Sequence, residues 1–165
     1  MWKTSHSDFE YIAQILVAMI KFFLLVNKIG QTRLAKYYEF MDLNERVLLE
    51  GECVRKCLGV KDTSSNVVEL RQYKLIFRRY ASLYFIVGLD INGDDNEMGI
   101  YEFIHCYVET LNAVFGNVCE LDIMFNLDRS HFILDEMVAN GEVVDVNRQN
   151  ILRPLTLMEK ARNKC

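Results

Sequence analysis

The chain has 165 residues and a mass of 19.3 kDa, enough for one domain with short tails. Nineteen Lys and Arg against twenty-three Asp and Glu leave a net charge of −4 and a pI near 5.4. This argues against nucleic-acid binding, which uses a basic stripe to neutralise phosphates. One Pro, eight Gly and 51% hydrophobic residues exclude a disordered or low-complexity chain, and the slight apolar excess points to surface buried against a partner.

The run Tyr11–Val26 (YIAQILVAMIKFFLLV) is interrupted by Gln14 and Lys21, and it is short of the ~20 apolar residues that span a bilayer. It divides at Met19. Residues 1–18 form an amino-terminal extension, and the β-forming stretch from Met19 ends at the turn Asn27-Lys28-Ile29-Gly30. Gln31–Tyr38 is predicted as the returning strand. Asp42-Leu43-Asn44 offers caps for a helix over Glu45–Leu58, with Val47, Leu48, Val54 and Leu58 as its apolar side and Gly59 as its stop. After a polar loop, Lys61–Asn66, three strands are expected over Val67–Gln72, Tyr73–Arg79 and Tyr80–Asp90. In the last of these, Leu83, Phe85, Val87 and Leu89 alternate with the residues of the other face.

Asp90, Asn92 and Asp94 occupy the first, third and fifth places of a calcium-loop pattern, but Asp95 and Tyr101 stand where that pattern requires Gly and Glu. The stretch reads instead as an acidic turn entering a helix. That helix repeats Ile100, Phe103, Ile104, Tyr107, Val108, Leu111, Val114 and Phe115 along one wide stripe, and Gly116-Asn117 end it. Leu121–Phe125 makes one or two further helical turns. Asp128 or Ser130 caps a helix through Phe132, Ile133, Leu134, Met137 and Val138, stopped by Asn140-Gly141. Asn147 begins a last short helix that halts near Pro154, with a frayed end over Glu159–Lys164. The domain therefore spans residues 19–153, followed by a tail over 154–165. Consecutive strands with helices gathered after them predict an α+β fold with a five-stranded antiparallel sheet.

The sequence carries little catalytic chemistry. Cys53, Cys57, Cys106, Cys119 and Cys165 contain no C-x-x-C pair, and His6, His105 and His131 lack metal-site spacing, so the cysteines read as small hydrophobes in a reducing compartment. No nucleophile elbow, zincin motif or phosphate-cradling glycine loop is present. His131 with Asp135 reads as a surface ion pair rather than an acid–base couple. No enzymatic activity, metal or cofactor is expected. Arg78-Arg79-Tyr80 reads as a solvated or salt-bridged strand face. Ala81, Val108 and Val118, small and near element ends, are candidates for the floor of a groove, although periodicity alone assigns them to the core.

Four ordered stretches carry a family resemblance: Met19–Lys28 (MIKFFLLVNK) with Gly30–Leu34 (GQTRL), Tyr73–Ala81 (YKLIFRRYA), Asn117–Asp122 (NVCELD) and Ile133–Met137 (ILDEM). Together they resemble the small, sigma-type subunits of adaptor protein complexes, over residues 19 to about 160. The stretches FLLVNK, ELDIMFN and Asn140-Gly141 look most like the small chain of the fourth complex. The resemblance implies a longin-like fold and a non-enzymatic place in a heterotetramer with an epsilon-type large chain, a beta-type large chain and a medium chain. It further implies recruitment by an Arf-class GTPase to the cytosolic face of trans-Golgi and endosomal membranes, for sorting transmembrane cargo. For cargo tails bearing acidic dileucine signals, it implies that Arg33 attracts the upstream acid. The two leucines would enter pockets at Ala81, Leu83, Val108, Asn117, Val118 and Ile123. Two departures from the family are the extension before Met19 and Val60, which stands where a polar or basic residue is expected. The alternatives are a small chain of another trafficking coat, of the coatomer zeta type, or a SNARE-like regulator, with an enzyme third.

Overall fold

In the computed structural model, which describes residues 19–61, 66–93 and 97–164, the core is organised around a strand buried on both faces. This strand, β1 (Ile20–Asn27), has every residue buried except Lys21. Alternation sends Phe23 and Leu25 into one apolar cluster and Phe22, Leu24 and Val26 into another. β1 pairs on one side with β2 (Thr32–Tyr37) and on the other with β5 (Leu83–Asp90). β4 (Tyr73–Tyr80) and β3 (Val67–Leu70) complete an antiparallel sheet in the order β2-β1-β5-β4-β3, the five strands expected. Gly88 of β5 lies opposite Phe22, and a Cβ there would run into the phenyl ring, so only glycine lets the ring cross the sheet.

Each sheet face is covered differently. Helix α1 (Leu43–Leu58) covers the face carrying Phe22, Leu24 and Leu75. The long helix α2 (Glu97–Phe115) covers the other, joined by α3 (Glu120–Phe125), α4 (Leu127–Met137) and α5 (Arg148–Arg162). The stripe of α2 is buried from Ile100 to Leu111, as its period requires. Tyr107, wholly buried, meets Phe23 edge-on at 5.3 Å and donates its hydroxyl to the Ser130 carbonyl at 3.0 Å, so its one polar atom is satisfied.

Several local expectations are corrected. α1 buries Leu49, Cys53 and Cys57, while Val47 and Leu48 are 63% and 61% exposed. Of the predicted stripe only Val54 and Leu58 pack on the sheet, in part. Gly59 does end α1, though in an ordinary right-handed conformation. The strands do not run through residues 71–72 or 81–82: tight turns open at Arg71 (φ 54°) and Ala81 (φ 53°), and Tyr80 ends β4 instead of beginning β5. Neither Asp128 nor Ser130 caps α4. Asn126 holds that place, and Ser130 lies inside the helix with its hydroxyl donating to the Asn126 carbonyl. Asn140-Gly141 (φ 52° and 85°) is the turn of a hairpin between β6 (Val138–Ala139) and β7 (Glu142–Val143), as two successive left-handed residues favour. The Gly141 carbonyl accepts the Ile20 amide at 2.7 Å, stitching this hairpin to the start of β1.

Asn147 caps α5 as expected, its side chain accepting the Gln149 amide, but Pro154 does not halt the helix. An interior proline costs about 3 kcal/mol. Burial of Ile151 before it and Leu155 after it opposes that cost, and Arg129 of α4 pairs with Glu159 at 3.0 Å near the end expected to fray. The extension 1–18, most of the loop 61–66, residues 94–96 of the acidic turn and Cys165 lie outside the described residues.

Candidate functional site

The residues singled out for cargo divide into a polar cluster and an apolar wall. Arg33 lies on edge strand β2, half-buried, with its Nε donating to Glu120 Oε1 at 2.7 Å and its Nη2 to Gln31 Oε1 at 2.8 Å. Asn27, at the end of β1 and 2% exposed, donates from Nδ2 to the same Glu120 oxygen at 2.8 Å and to Gln31 Oε1 at 3.1 Å. Its Oδ1 accepts the amides of Gln31 at 2.8 Å and Ile29 at 3.2 Å, which folds the β1–β2 turn around the side chain. These bonds hold the Glu120 carboxyl below its usual range, through Asn27 first and then Arg33. Sequence reasoning named Arg33 but missed Asn27, Gln31 and Glu120. The signal was an Asn four residues before a Gln at a strand end, but nothing local links either residue to position 120.

The apolar wall adjoins this cluster through Leu83, which pairs with Asn27 across β1 and β5. Leu83, Val108 and Ile123 belong to one cluster and are 1%, 3% and 0% exposed, so their side chains are already enclosed by the core; Val118 packs against the same cluster with part of its surface free. Ala81 is exposed at the β4–β5 turn, and Asn117 is exposed at the turn between α2 and α3. That second turn is internally braced. Gly116 is left-handed (φ 80°), Asn112 Oδ1 accepts the Val118 amide at 2.9 Å, and Asp122 Oδ2 accepts the Cys119 amide at 2.9 Å. The structure therefore brings Arg33, Leu83 and the start of α3 together, with Val118 and Asn117 leading into α3.

Elsewhere the reactive groups are spent on structure. Arg78 stacks on Tyr80 at 5.1 Å and Arg79 on Tyr84 at 5.7 Å, on opposite faces of β4, so each is held by a cation–π contact and, among the described residues, neither enters a salt bridge. Asp135 pairs with Lys36 of β2 at 3.0 Å, replacing the expected partnership with His131, whose imidazole is held below its usual range mainly by burial. Burial pushes the Cys53 thiol up to about 12 and the Cys106 thiol to about 11. A shallow basic groove of about 490 Å³ runs along α5 between Arg148 and Lys160, and none of the predicted cargo residues lines it. Among the described residues no cluster of His, Cys, Asp and Glu is placed to hold a metal, and no helix is long and apolar enough to cross a membrane.

A family model described as the clathrin adaptor complex small chain matches residues 19–162. The chain belongs to that family. It is 58% identical over 142 residues to the AP-4 complex subunit sigma of Arabidopsis thaliana, covering 86% of this chain and 98% of the relative. It is 55% identical to the AP-4 complex subunit sigma-1 of Homo sapiens, covering 86% and 97%. Among solved assemblies, a chain of a homology model of the full-length AP-3 complex in a stretched open conformation superposes with a TM-score of 0.69 at 27% identity, covering 88% of this chain and 96% of that one. The adaptor small-chain resemblance carried by the four motifs thus holds over nearly the whole described domain. So does the longin-like fold, a five-stranded antiparallel sheet flanked by helices.

Proposed function

We propose that this small chain serves an adaptor complex of the AP-4 type, sorting transmembrane cargo into vesicles without chemistry of its own. The observation that carries the assignment is a margin. Identity is 50–58% to sigma chains of AP-4 complexes from a plant, an amoeba and mammals, but 38–42% to sigma chains of AP-1 and AP-2 complexes. In this reading the chain assembles with an epsilon-type large chain, a beta-type large chain and a medium chain. The complex is recruited by an Arf-class GTPase to the cytosolic face of trans-Golgi or endosomal membranes. Exposed Phe40, Leu43, Val47 and Leu48 at the start of α1 support a chain whose apolar surface is completed by a neighbour. Affinity capture of the tagged chain from its own cells tests this. Recovery of epsilon-type, beta-type and medium adaptor chains is expected, and coatomer-type large chains in their place would overturn it.

The cargo reading extends this proposal to acidic dileucine tails. Its support is the juxtaposition of a partly buried Arg33 with the Val118 surface and the exposed Ala81 and Asn117, over a wall of Leu83, Val108 and Ile123. Because that wall is enclosed, the leucines would have to be admitted by movement of the α2–α3 turn. In the intact complex, Arg33→Glu is expected to weaken binding of an acidic dileucine peptide by about tenfold, since it turns the Arg33–Glu120 ion pair into two adjacent carboxylates that repel the upstream acid. Unchanged affinity in a fluorescence titration rejects the assignment.

A further inference from the structure

We propose that Glu120 sets the specificity of the candidate cargo site: it neutralises Arg33 from within the chain, so the site reads the leucines of a bound tail and discounts the acid that precedes them. The inference rests on the cargo reading above and goes beyond it, because that reading assigns Arg33 to the acid and gives Glu120 no role.

The geometry of the guanidinium carries it. A carboxylate grips arginine best through two parallel hydrogen bonds along one edge. The edge formed by Nε and Nη2 is filled from inside the molecule, by Glu120 Oε1 at 2.7 Å and Gln31 Oε1 at 2.8 Å. Neither acceptor is loosely placed. Both take a hydrogen bond from Asn27 Nδ2, and Asn27 is itself almost fully buried and fixed by two backbone amides through Oδ1. Arg33 is left with donors toward Nη1, so a further acceptor has room to approach, but the acid of a tail would meet a pair whose charges already cancel. It would gain the small increment of an exposed, compensated contact instead of the attraction of a bare cation. The arrangement spans the fold, joining a strand end, an edge strand and the start of α3, with the two charged partners 87 positions apart in the chain. It is therefore present in the folded chain before any tail arrives.

The test separates charge from shape. Glu120→Gln keeps an oxygen for Arg33 and Asn27 and removes only the negative charge. Intact adaptor complex carrying wild-type or variant chain is titrated with a labelled acidic dileucine peptide and with its twin in which the upstream acid is replaced by the amide. In the wild type the acid is expected to improve affinity by no more than about twofold, and in E120Q by about fivefold, the E120Q gain shrinking as salt is raised. A second variant runs the other way. Arg33→Gln leaves Glu120 with only the weaker field of Lys28 to oppose its charge, and the amide twin should then bind better than the acid. Gel filtration of each complex confirms assembly. An acid-to-amide ratio that is the same in wild type and E120Q overturns the proposal, leaving Glu120 as a brace for α3. So does a ratio of fivefold already present in the wild type. Failure of both peptides to bind any form overturns the cargo reading and this proposal with it, an outcome distinct from the first two.

Discussion

Helices α1 and α2 lie on opposite faces of one sheet, yet they spend their apolar residues differently. α2 buries Ile100, Phe103, Ile104, Tyr107, Val108 and Leu111 against the sheet and its helical neighbours. α1 meets the sheet through Leu49, Cys53 and Cys57, spaced four apart, and turns Leu43, Val47 and Leu48 outward. A narrow seam of Leu49 and two cysteines, flanked by Val54 and Leu58, suffices to dock α1, which leaves Leu43, Val47 and Leu48 as an apolar surface that does nothing for the isolated fold. The lesson is that one of these helices is a structural beam, whereas the other is also a surface, consistent with a chain built to be covered by a larger partner.

The contrast is open to direct attack. The largest effect is expected from Phe103→Ala, which empties a fully buried site beside Phe23 and should cost about 3–5 kcal/mol in denaturant unfolding of the purified chain. A loss under 1 kcal/mol would mean that α2 is not the beam described. Cys53→Ser places a hydroxyl in the apolar seam of α1 and should cost about 1–3 kcal/mol by the same measurement. A smaller change is expected from acid. The Glu120 carboxyl is held below its ordinary 4.5, so its contribution to stability is complete above that value and is lost as pH falls through the lowered one. The difference in melting temperature between wild type and E120Q should accordingly stay level from neutral pH to about 5 and close only at stronger acid. A difference that narrows between pH 7 and 5 contradicts the Arg33 and Asn27 bonds. The smallest effect is expected from Val47→Ser with Leu48→Ser, within about 0.5 kcal/mol of wild type for each exposed position. The same double variant should nonetheless recover less large chain on affinity capture. Marked destabilisation of the chain by itself would show that this face of α1 is not spare.

What could be read without coordinates follows the same division. The stripe of α2 and the doubly apolar β1 were legible because each has a single way to satisfy its period. α1 was not, because Leu49-Cys53-Cys57 and Val47-Leu48-Val54-Leu58 are both apolar rows, and hydropathy cannot tell that the first meets the chain's own sheet in full and the second only in part, through Val54 and Leu58. Asn140-Gly141 fits a helix stop and a hairpin turn equally well; the pairing of Val138 with Val143 decides. Pro154 was read by its local cost, whereas the burial of Leu155 that opposes it is tertiary. At the candidate site, Arg33 was found through a resemblance, while its bond to Glu120 joins residues too distant in sequence for any spacing rule to connect.

The placement of β1 has a bearing on biogenesis. Its first edge can be satisfied at once by β2 through a four-residue turn, but its other edge waits for β5, some sixty residues later in synthesis. During that interval the segment FFLLV offers an open, uncharged edge with greasy residues on both sides, the kind of stretch that seeds aggregation. Production of this polypeptide should therefore be limited less by the strength of the finished fold than by how well the nascent chain is shielded until its fifth strand emerges from the ribosome.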